Sequence, residues 1–302
     1  MTAQDSHSSS TTKGLLLVGG AALTWSFGGT IARFLHVGDS WTVVFWRSVF
    51  ATLFLLGYMI VRHGISGTIT HFRAMGWPGV AVGVCFAIAS TAFVVALAHT
   101  TVANILLMQA GAPLFAALIT YLLFGEYISR GTWIAIAAVI LGVAIMVSQS
   151  FTGEVSLIGD GLALLITIAF SIATVVARRH NNVEMVPAVC LGVMIAAAFS
   201  GSMASQFIVS TIDFGWLVLF GAVNLGFGLA IFITGARMVP AALAALISTL
   251  EPVLAPIWVW LIHGEIPTIT TIIGGSVVFL ALLGHVLMQL APARNADRKP
   301  AV

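Results

Sequence analysis

The feature that most constrains this chain is a series of long apolar stretches separated by short polar segments. A helix of roughly 20 apolar residues crosses the ~30 Å hydrocarbon core of a bilayer. Within lipid every backbone N–H and C=O needs a partner inside the protein, so only helices and closed barrels can cross. Barrel strands alternate apolar and polar residues, whereas runs such as 15–18 and 134–147 are apolar on every side. The sequence therefore predicts an all-α integral membrane protein.

The charge content supports this class. Only 7% of the residues are charged and 60% are hydrophobic, whereas a soluble domain carries about 25% charged residues. Because further apolar stretches follow the first, the first is a span and not a cleaved signal peptide. We predict ten spans, at residues 14–35, 41–61, 77–98, 103–124, 132–147, 156–177, 185–207, 214–236, 240–262 and 268–290.

The basic residues predict the orientation, because Lys and Arg are enriched in short cytoplasmic loops. With the N-terminus in the cytoplasm, ten of the 12 basic residues fall on the cytoplasmic side. Of the other two, Arg33 falls outside and Arg47 lies within span 2. We therefore expect a multi-pass protein of the cytoplasmic (inner) membrane with both termini in the cytoplasm.

Two sets of short motifs indicate an internal repeat. The first set, at 113–116 (PLFA) and 124–126 (FGE), matches 252–255 (PVLA) and 263–265 (HGE) at an offset of 139 residues. The second set, at 23–26 (LTWS) and 32–33 (AR), matches 168–171 (IAFS) and 177–178 (AR) at an offset of 145 residues. The difference between the offsets corresponds to a change in loop length between the two halves.

The repeat predicts the domain organisation. We expect a polar cytoplasmic tail at 1–13, a five-helix repeat at 14–148, a second at 156–290 and a polar cytoplasmic tail at 291–302. Because five is odd, the second repeat enters the membrane from the opposite side. Inverted repeats of this kind are typical of secondary transporters, whose substrate site lies between the halves near the bilayer midplane.

A family resemblance rests on these motifs. The Trp25-Ser26 pair in span 1, the Pro…Gly-Glu patterns of spans 4 and 9 and the string Leu250-Glu251-Pro252-Val253 resemble an EamA-type member of the drug/metabolite transporter superfamily. The resemblance extends over roughly residues 14–290. It implies a proton- or gradient-linked carrier, often an exporter of amino acids or other metabolites.

Glu251 is the sharpest candidate for a functional side chain. It lies in the middle of predicted span 9, about 15 Å from either face, where a charge is costly and usually functional. Glu251 has two possible roles: an acid that couples protons or binds a substrate amine, or a neutral structural group that is hydrogen-bonded to a neighbouring helix. Ser248 shares the predicted helix face of Glu251. Gln109 is the repeat counterpart of Ser248, with an interhelical hydrogen bond as its alternative role.

Five further side chains are candidates because of their polarity or depth. Arg47 either captures a substrate carboxylate or extends to the outer end of span 2; it has no basic counterpart in span 7. Trp25 is too deep for an interface anchor and forms either a wall of the site or core packing. Asn224 needs a partner in lipid. Ser26 and Ser171 occupy polar faces of spans 1 and 6.

Two prolines are candidate hinges. Pro113 and Pro252 occupy equivalent positions in the two halves, and proline kinks a helix because it lacks an N–H donor. Paired kinks are expected to move during a transport cycle. Static curvature of the two helices is the alternative that the sequence leaves open.

Other kinds of chemistry lack a sequence signature. The chain has no G-x-x-x-x-G-K-[ST] phosphate loop or H-E-x-x-H pair and no G-x-S-x-G turn. Its eight His are spread over separate segments, so we predict no metal site, no cofactor and no enzymatic activity. Cys85 and Cys190 lie in apolar runs and form no disulfide framework. The expected partners are the lipid bilayer, a small-molecule substrate and, where Glu251 couples transport, protons; nucleic acid is not expected.

The leading functional hypothesis is a secondary transporter that moves small polar metabolites by alternating access, with export of amino acids or related compounds. An exporter of hydrophobic cationic drugs is one alternative, since its site needs an acid such as Glu251 but no Arg. A non-transporting membrane scaffold or receptor and an intramembrane enzyme are the alternatives from other classes. The sequence does not indicate the substrate, the coupling ion or the oligomeric state.

Overall fold

Ten helices long and apolar enough to cross a membrane are present in the computed structural model, which describes residues 3–148, 156–180 and 183–296. The prediction of an all-α membrane protein with ten spans is confirmed. The linker 149–155 and the end of the C-terminal tail lie outside the described residues. Spans 1 to 10 are Thr12–Arg33, Ser40–Ala74, Gly76–Ala96, Val102–Phe124, Arg130–Ser148, Leu157–Arg179, Met185–Met203, Thr211–Ala236, Leu243–His263 and Ile269–Met288.

Span 2 is longer than the predicted 41–61 because its helix runs on to Ala74 after a sharp break at Gly64. Gly64 has φ +67° and ψ 174°, a conformation that residues with a side chain rarely adopt. Beyond the break, Thr68 is buried whereas Ile65 and Ile69 are exposed. A short helix with one packed face and one exposed apolar face is typical of a segment at the membrane surface. Residues 65–74 therefore form a separate helical segment after the break, with one packed and one exposed face.

Span 1 is broken near its middle. Its helix Ala3–Ser26 stops at Phe27, and a short helix, Gly28–Arg33, follows. Span 8 has an irregular middle section of another kind, in which the π-helix Leu219–Phe227 separates the α-helices Thr211–Val218 and Gly228–Ala236. Single π-helical sections inside α-helices are frequent at functional sites.

Spans 4 and 9 are interrupted at equivalent places in the two repeats. Span 4 consists of the helices Val102–Gln109 and Ala112–Phe124, and span 9 contains the helices Ala241–Ser248 and Leu250–His263. In each case the proline, Pro113 or Pro252, lies in the first turn after the break. Proline is tolerated there because first-turn N–H groups have no partner within the helix. Ala110, Gly111 and Thr249, between the helices, keep right-handed helical φ and ψ values, so each span has a local irregularity beside its proline. The role of the two prolines as hinges stays a prediction.

Close helix packing depends on glycine at two crossings. A Cβ atom built on Gly83 of span 3 would lie 2.7 Å from the carbonyl oxygen of Ala188 in span 7. A Cβ atom on Gly142 of span 5 would lie 2.6 Å from the carbonyl oxygen of Gly274 in span 10. Real Cβ contacts are longer than this, so any side chain would push these helices apart. Small residues allow such close approach between membrane helices.

Asp39 caps the start of span 2 and binds it to the segment after span 7. Its carboxylate caps the helix by accepting from Trp41 N–H, and it also accepts from the Thr42 hydroxyl. The backbone N–H and hydroxyl of Ser205, after span 7, donate to it at 2.8 Å. Burial opposes ionisation, but these hydrogen bonds together outweigh it and lower the pKa of Asp39 to about 2. The carboxylate therefore stays charged at physiological pH and joins spans 2 and 7.

Candidate functional site

A cavity of about 400 Å³ lies between spans 1–5 and spans 6–10. Its wall is largely aromatic and aliphatic, with contributions from Phe86, Phe93, Phe170 and Phe232. A small number of polar groups in a mostly apolar cleft is typical of a small-molecule site. Five of the eight predicted site residues line this central cavity: Trp25, Arg47, Gln109, Asn224 and Glu251.

Glu251 lies in the first turn of the helix Leu250–His263, directly after the break in span 9. The broken span places the N-terminal end of a helix inside the membrane, and that end favours a negative charge. Among the described residues, the carboxylate has no hydrogen bond or ion pair with a protein group, although its side chain is only partly exposed. It is therefore available to a proton or to a cationic group in the cavity.

Gln109 and Glu251 also line a second, smaller cavity of about 170 Å³. Ser248, Pro113 and Pro252 belong to this second cavity and not to the central one. Ser248 and Glu251 lie three positions apart, on either side of the irregular point at Thr249, and both line this second cavity. The Ser248 hydroxyl donates to the Ala244 carbonyl at 2.9 Å.

Arg47 is buried in the wall of the central cavity, only 6% exposed. Its Nη1 donates to the Ser90 hydroxyl at 2.9 Å, and its guanidinium lies 4.4 Å from the ring centroid of Phe220. Among the described residues, Nε has no hydrogen-bond partner and no carboxylate forms an ion pair with the side chain. Arg47 therefore bonds to span 3 within the bundle and does not extend to the outer end of span 2.

Trp25 and Asn224 form one corner of the central cavity where span 1 breaks. The Asn224 amide, carried by the π-helical part of span 8, donates to the Thr24 carbonyl at 2.6 Å. This bond supplies the partner that the sequence argument required for Asn224. The Trp25 ring packs 5.1 Å from Phe232, and its Nε1 is buried without a hydrogen-bond partner among the described residues. This N–H is packed against Gly228 of span 8.

Ser26 and Ser171 line neither cavity and are fully buried. The Ser26 hydroxyl accepts from Trp258 Nε1 in span 9 at 3.0 Å. The Ser171 hydroxyl lies 2.6 Å from the Thr167 carbonyl of its own helix and 3.0 Å from the Ala112 carbonyl in span 4. These serines are repeat-related, and each contacts the broken span of the other half. Their position indicates a role in holding the broken helices and not in contacting a substrate.

Two ion pairs that the sequence reasoning did not identify join the halves at opposite ends of the cavity-forming spans. Arg33 Nε lies 2.8 Å from Glu265, and Arg179 Nη2 lies 2.9 Å from Glu126. Glu126 and Glu265 share the offset of 139 residues, and Arg178, beside Arg179, is the repeat counterpart of Arg33. The motifs that revealed the repeat therefore already contained the signal for these pairs.

The two pairs are unequal. Arg33 also donates to the Leu97 and Thr100 carbonyls, and Glu265 accepts from Val102 N–H at 2.8 Å. The Arg33 and Glu265 side chains are 29% and 19% exposed, whereas those of Arg179 and Glu126 are 41% and 51% exposed. Exposed pairs contribute little, so the first pair is the stronger connection.

The fold and the cavity define a class of protein: a ten-span helical membrane protein with a central, mostly apolar cavity that carries a few polar groups. The chain belongs to the EamA-like transporter family, whose model matches residues 12–148 and 157–287. The family predicted from the motifs is thereby confirmed. Family membership makes the chain a membrane transporter and not an enzyme.

Relatives and a solved structure agree with this assignment. The chain is 28% identical over 251 residues to the pseudopaline exporter CntI of Pseudomonas aeruginosa UCBPP-PA14, covering 80% of this chain and 84% of the relative. The exporter of the same name from strain PAO1 is 27% identical over the same shares. A crystal structure with 19% sequence identity shares the fold at a TM-score of 0.61, covering 93% of this chain and 97% of its own.

Proposed function

We propose that the protein is a secondary transporter that exports small zwitterionic metabolites, of the amino-acid kind, by alternating access through the central cavity. The observation that carries this proposal is the polar set on the cavity wall. Arg47 and Glu251, one basic and one acidic, line the same mostly apolar space and form no ion pair with each other. Export as the direction is supported by the relatives, which are exporters.

The substrate class follows from the donors and acceptors that the cavity offers. Arg47 lines the cavity with a guanidinium whose planar fork fits a carboxylate, and no carboxylate of the described residues pairs with it. Glu251 offers a carboxyl group to an ammonium group or a proton. The aromatic side chains of Trp25 and Phe170 add apolar walls. A compound with a carboxylate, an amine and an apolar part satisfies all of these groups.

Alternating access is supported by the two Arg–Glu pairs. We infer that the halves have inverted topology, since each contains five spans and the repeat-related pairs lie at opposite ends of the spans. The central cavity is lined by Thr174, Ala177 and Met185, which lie near Arg179 and away from Arg33. We infer from this a state closed at the Arg33–Glu265 end. Under the predicted orientation, this state is open towards the cytoplasm.

Flux measurements in proteoliposomes test the proposal. The purified protein is reconstituted and offered a panel of labelled amino acids, pseudopaline and a hydrophobic cationic dye, with an imposed pH gradient. We expect saturable flux of a zwitterionic compound. The variant Arg47→Gln should lose at least about tenfold in apparent affinity, since a hydrogen bond to a charged group is worth about 1.5–3 kcal/mol. Arg62→Gln, which removes an exposed guanidinium beside Tyr58, is the matched control.

Flux of the cationic dye alone, undiminished in Arg47→Gln, would replace the proposal with the drug-exporter alternative. The absence of flux for the whole panel, with correctly folded and inserted protein, would contradict a carrier of compounds in this class. Normal zwitterion flux in Arg47→Gln would remove Arg47 from the substrate site and would contradict carboxylate recognition by its guanidinium.

A further inference from the structure

We propose that the protein carries a site for a divalent transition-metal ion, formed by His63, His71 and Glu184 and separate from the central cavity. The three residues each offer one ligand atom, and these atoms all lie within 4.8 Å of one another. Two imidazole nitrogens and one carboxylate oxygen form a ligand set that suits Zn²⁺, with a fourth position open to water. None of the three side chains lines either cavity described above.

The break at Gly64 brings the two histidines together. In a continuous helix, residues eight positions apart are separated by about 12 Å along the axis. In the structure the ring centroids of His63 and His71 are only 4.4 Å apart. The left-handed backbone of Gly64 turns the following segment so that His71 returns to the end of span 2. The spacing of the histidines in the sequence gives no sign of this approach, which is why the sequence alone does not suggest a metal site here.

The geometry of the pair formed by His71 and Glu184 fits a shared ion. His71 Nε2 and Glu184 Oε2 are 3.3 Å apart. Two ligand atoms that each lie about 2.0–2.1 Å from a tetrahedral ion are themselves about 3.3–3.4 Å apart. The remaining ligand, from His63, belongs to an exposed side chain, and a small rotation can bring it to the same ion.

The hydrogen bond on the other side of the His71 ring favours the same reading. His71 Nδ1 lies 2.7 Å from the Gly67 carbonyl, which can only accept, so Nδ1 carries the proton. In the neutral ring, Nε2 then directs a lone pair at the Glu184 carboxylate. That contact is favourable only with a cation between the two atoms, either a proton or a metal ion. A ring N–H donated to a backbone carbonyl is the usual arrangement of a metal-binding histidine.

The position of His63 favours a metal ion over a proton as the cation between His71 and Glu184. A proton on Nε2 would be shared by His71 and Glu184 alone and would leave the second imidazole without a role. A metal ion uses all three groups. The other Glu184 oxygen, Oε1, lies 3.3 Å from Arg237 Nη2, which orients the carboxylate and leaves Oε2 for a single bond to the ion.

The position of the site indicates what the ion would do. His63 and His71 flank the break at Gly64 within span 2, and Glu184 immediately precedes span 7. A bound ion would therefore connect the first half to the second at the end of the molecule towards which the central cavity extends. Arg237, between spans 8 and 9, would be held through Glu184. The ion is expected to stabilise this end of the protein in the conformation described.

Binding of Zn²⁺ to the purified full-length protein tests the site. The chain is prepared in detergent without a polyhistidine tag, freed of metal with a chelator and titrated with Zn²⁺ in a calorimeter. We expect one saturable site per chain. His63→Gln and His71→Gln should each weaken binding by at least about tenfold, the lower end of the effect seen for groups that support a metal site. His99→Gln, in the exposed turn after span 3, is the matched control.

Two further measurements keep the test independent of folding. Saturating Zn²⁺ should raise the melting temperature of the parent and of His99→Gln, because an ion that binds only the folded state stabilises it; His71→Gln should show no such shift. Co²⁺ should give the visible absorption of a four-coordinate ion with the parent but not with His63→Gln, whose exposed side chain is least needed for folding. No saturable site in the parent, or undiminished binding in both His variants, would overturn the proposal.

Discussion

Glu251 and Arg47 show how a few side chains give a mostly apolar bundle its chemistry. Both lie in the wall of one cavity, and neither has a charged protein partner among the described residues. An ionisable group in the membrane is costly unless it is paired or hydrated. We therefore infer that the partners of both groups come from outside the protein: a substrate, water or a proton.

Replacing Glu251 with Gln tests proton coupling at this position. Gln resembles the permanently protonated acid, so pH-driven accumulation should be lost while exchange of substrate across the membrane persists. One proton moved through 100 mV provides about 2.3 kcal/mol, which corresponds to an accumulation of about fifty-fold. Accumulation and exchange are measured separately in proteoliposomes. Glu251→Asp, which keeps a carboxyl group, should retain part of the accumulation. Full pH-driven accumulation in the Gln variant, at normal expression, would exclude the coupling role.

At the scale of helices, the irregular sections of spans 1, 4, 8 and 9 lie next to the cavity. The break in span 9 precedes Glu251, the break in span 4 follows Gln109, and the π-helix of span 8 carries Asn224. Regular helices satisfy their backbone groups internally. At the interruptions of spans 1, 4 and 9, the N–H groups of Phe27, Gly111 and Thr249 bond to the carbonyl three residues earlier. Such sections are tolerated where they line a cavity or contact other helices, as they do here.

The two prolines at these breaks are expected to keep them open. In Pro113→Ala and Pro252→Ala the new N–H allows the helix to extend backwards through the break, which should make the local change of conformation harder. We expect transport to slow by about tenfold, a barrier increase of about 1.4 kcal/mol, with a smaller change in substrate affinity. Pro256→Ala, inside the same helix as Pro252, is the control. Parental transport rates in both variants would show that the prolines only shape static curvature.

At the scale of the whole molecule, two halves meet around the cavity and are connected by the pairs Arg33–Glu265 and Arg179–Glu126. Because the first pair is more buried and carries additional hydrogen bonds, we infer that it holds its end of the molecule closed in this conformation. The repeat relationship between the two glutamates implies that the opposite conformation would strengthen the second pair. Exchange between the two arrangements would expose one cavity to either side in turn.

Weakening one pair should shift this equilibrium in a predictable direction. In a background with Cys85 and Cys190 replaced, Ala173→Cys places a thiol in the cavity wall. Glu265→Gln should then increase its labelling by a membrane-impermeant reagent from the Arg33 side by about tenfold, the effect of losing about 1.4 kcal/mol of closed-state stability. Glu126→Gln, at the repeat counterpart, is the control and should not increase labelling from that side. Equal labelling in both variants would contradict the assignment of Arg33–Glu265 as the closing pair.

The orientation of the molecule remains a prediction from its basic residues. Positions 180 and 206 flank span 7 and must lie on opposite sides of the membrane. A single Cys at position 206 should react with an impermeant reagent added to intact cells, and one at 180 only after permeabilisation. The reverse pattern would place both termini outside.

The sequence alone determined the features that depend on local patterns. Apolar length fixes the number of spans through the thickness of the bilayer, and the repeat offset pairs Pro113 with Pro252 and Glu126 with Glu265. Depth within a span was enough to select Trp25, Arg47, Gln109, Asn224 and Glu251, which the structure brings to one cavity. These inferences are possible because a lipid environment restricts each segment to a helix. Polar residues within the apolar spans are rare and can therefore be recognised in the sequence.

Contacts between segments far apart in the chain were decided only by the tertiary structure. Ser26 and Ser171 resemble cavity residues by depth but support the broken helices of the opposite half. Arg33 contacts Glu265, which is 232 positions away in the chain. His63 lies near His71 and Glu184 only because the backbone changes direction at Gly64. Such long-range contacts depend on helix rotation, breaks and packing distances, which many weak interactions determine together. They therefore cannot be read from any single segment of the sequence.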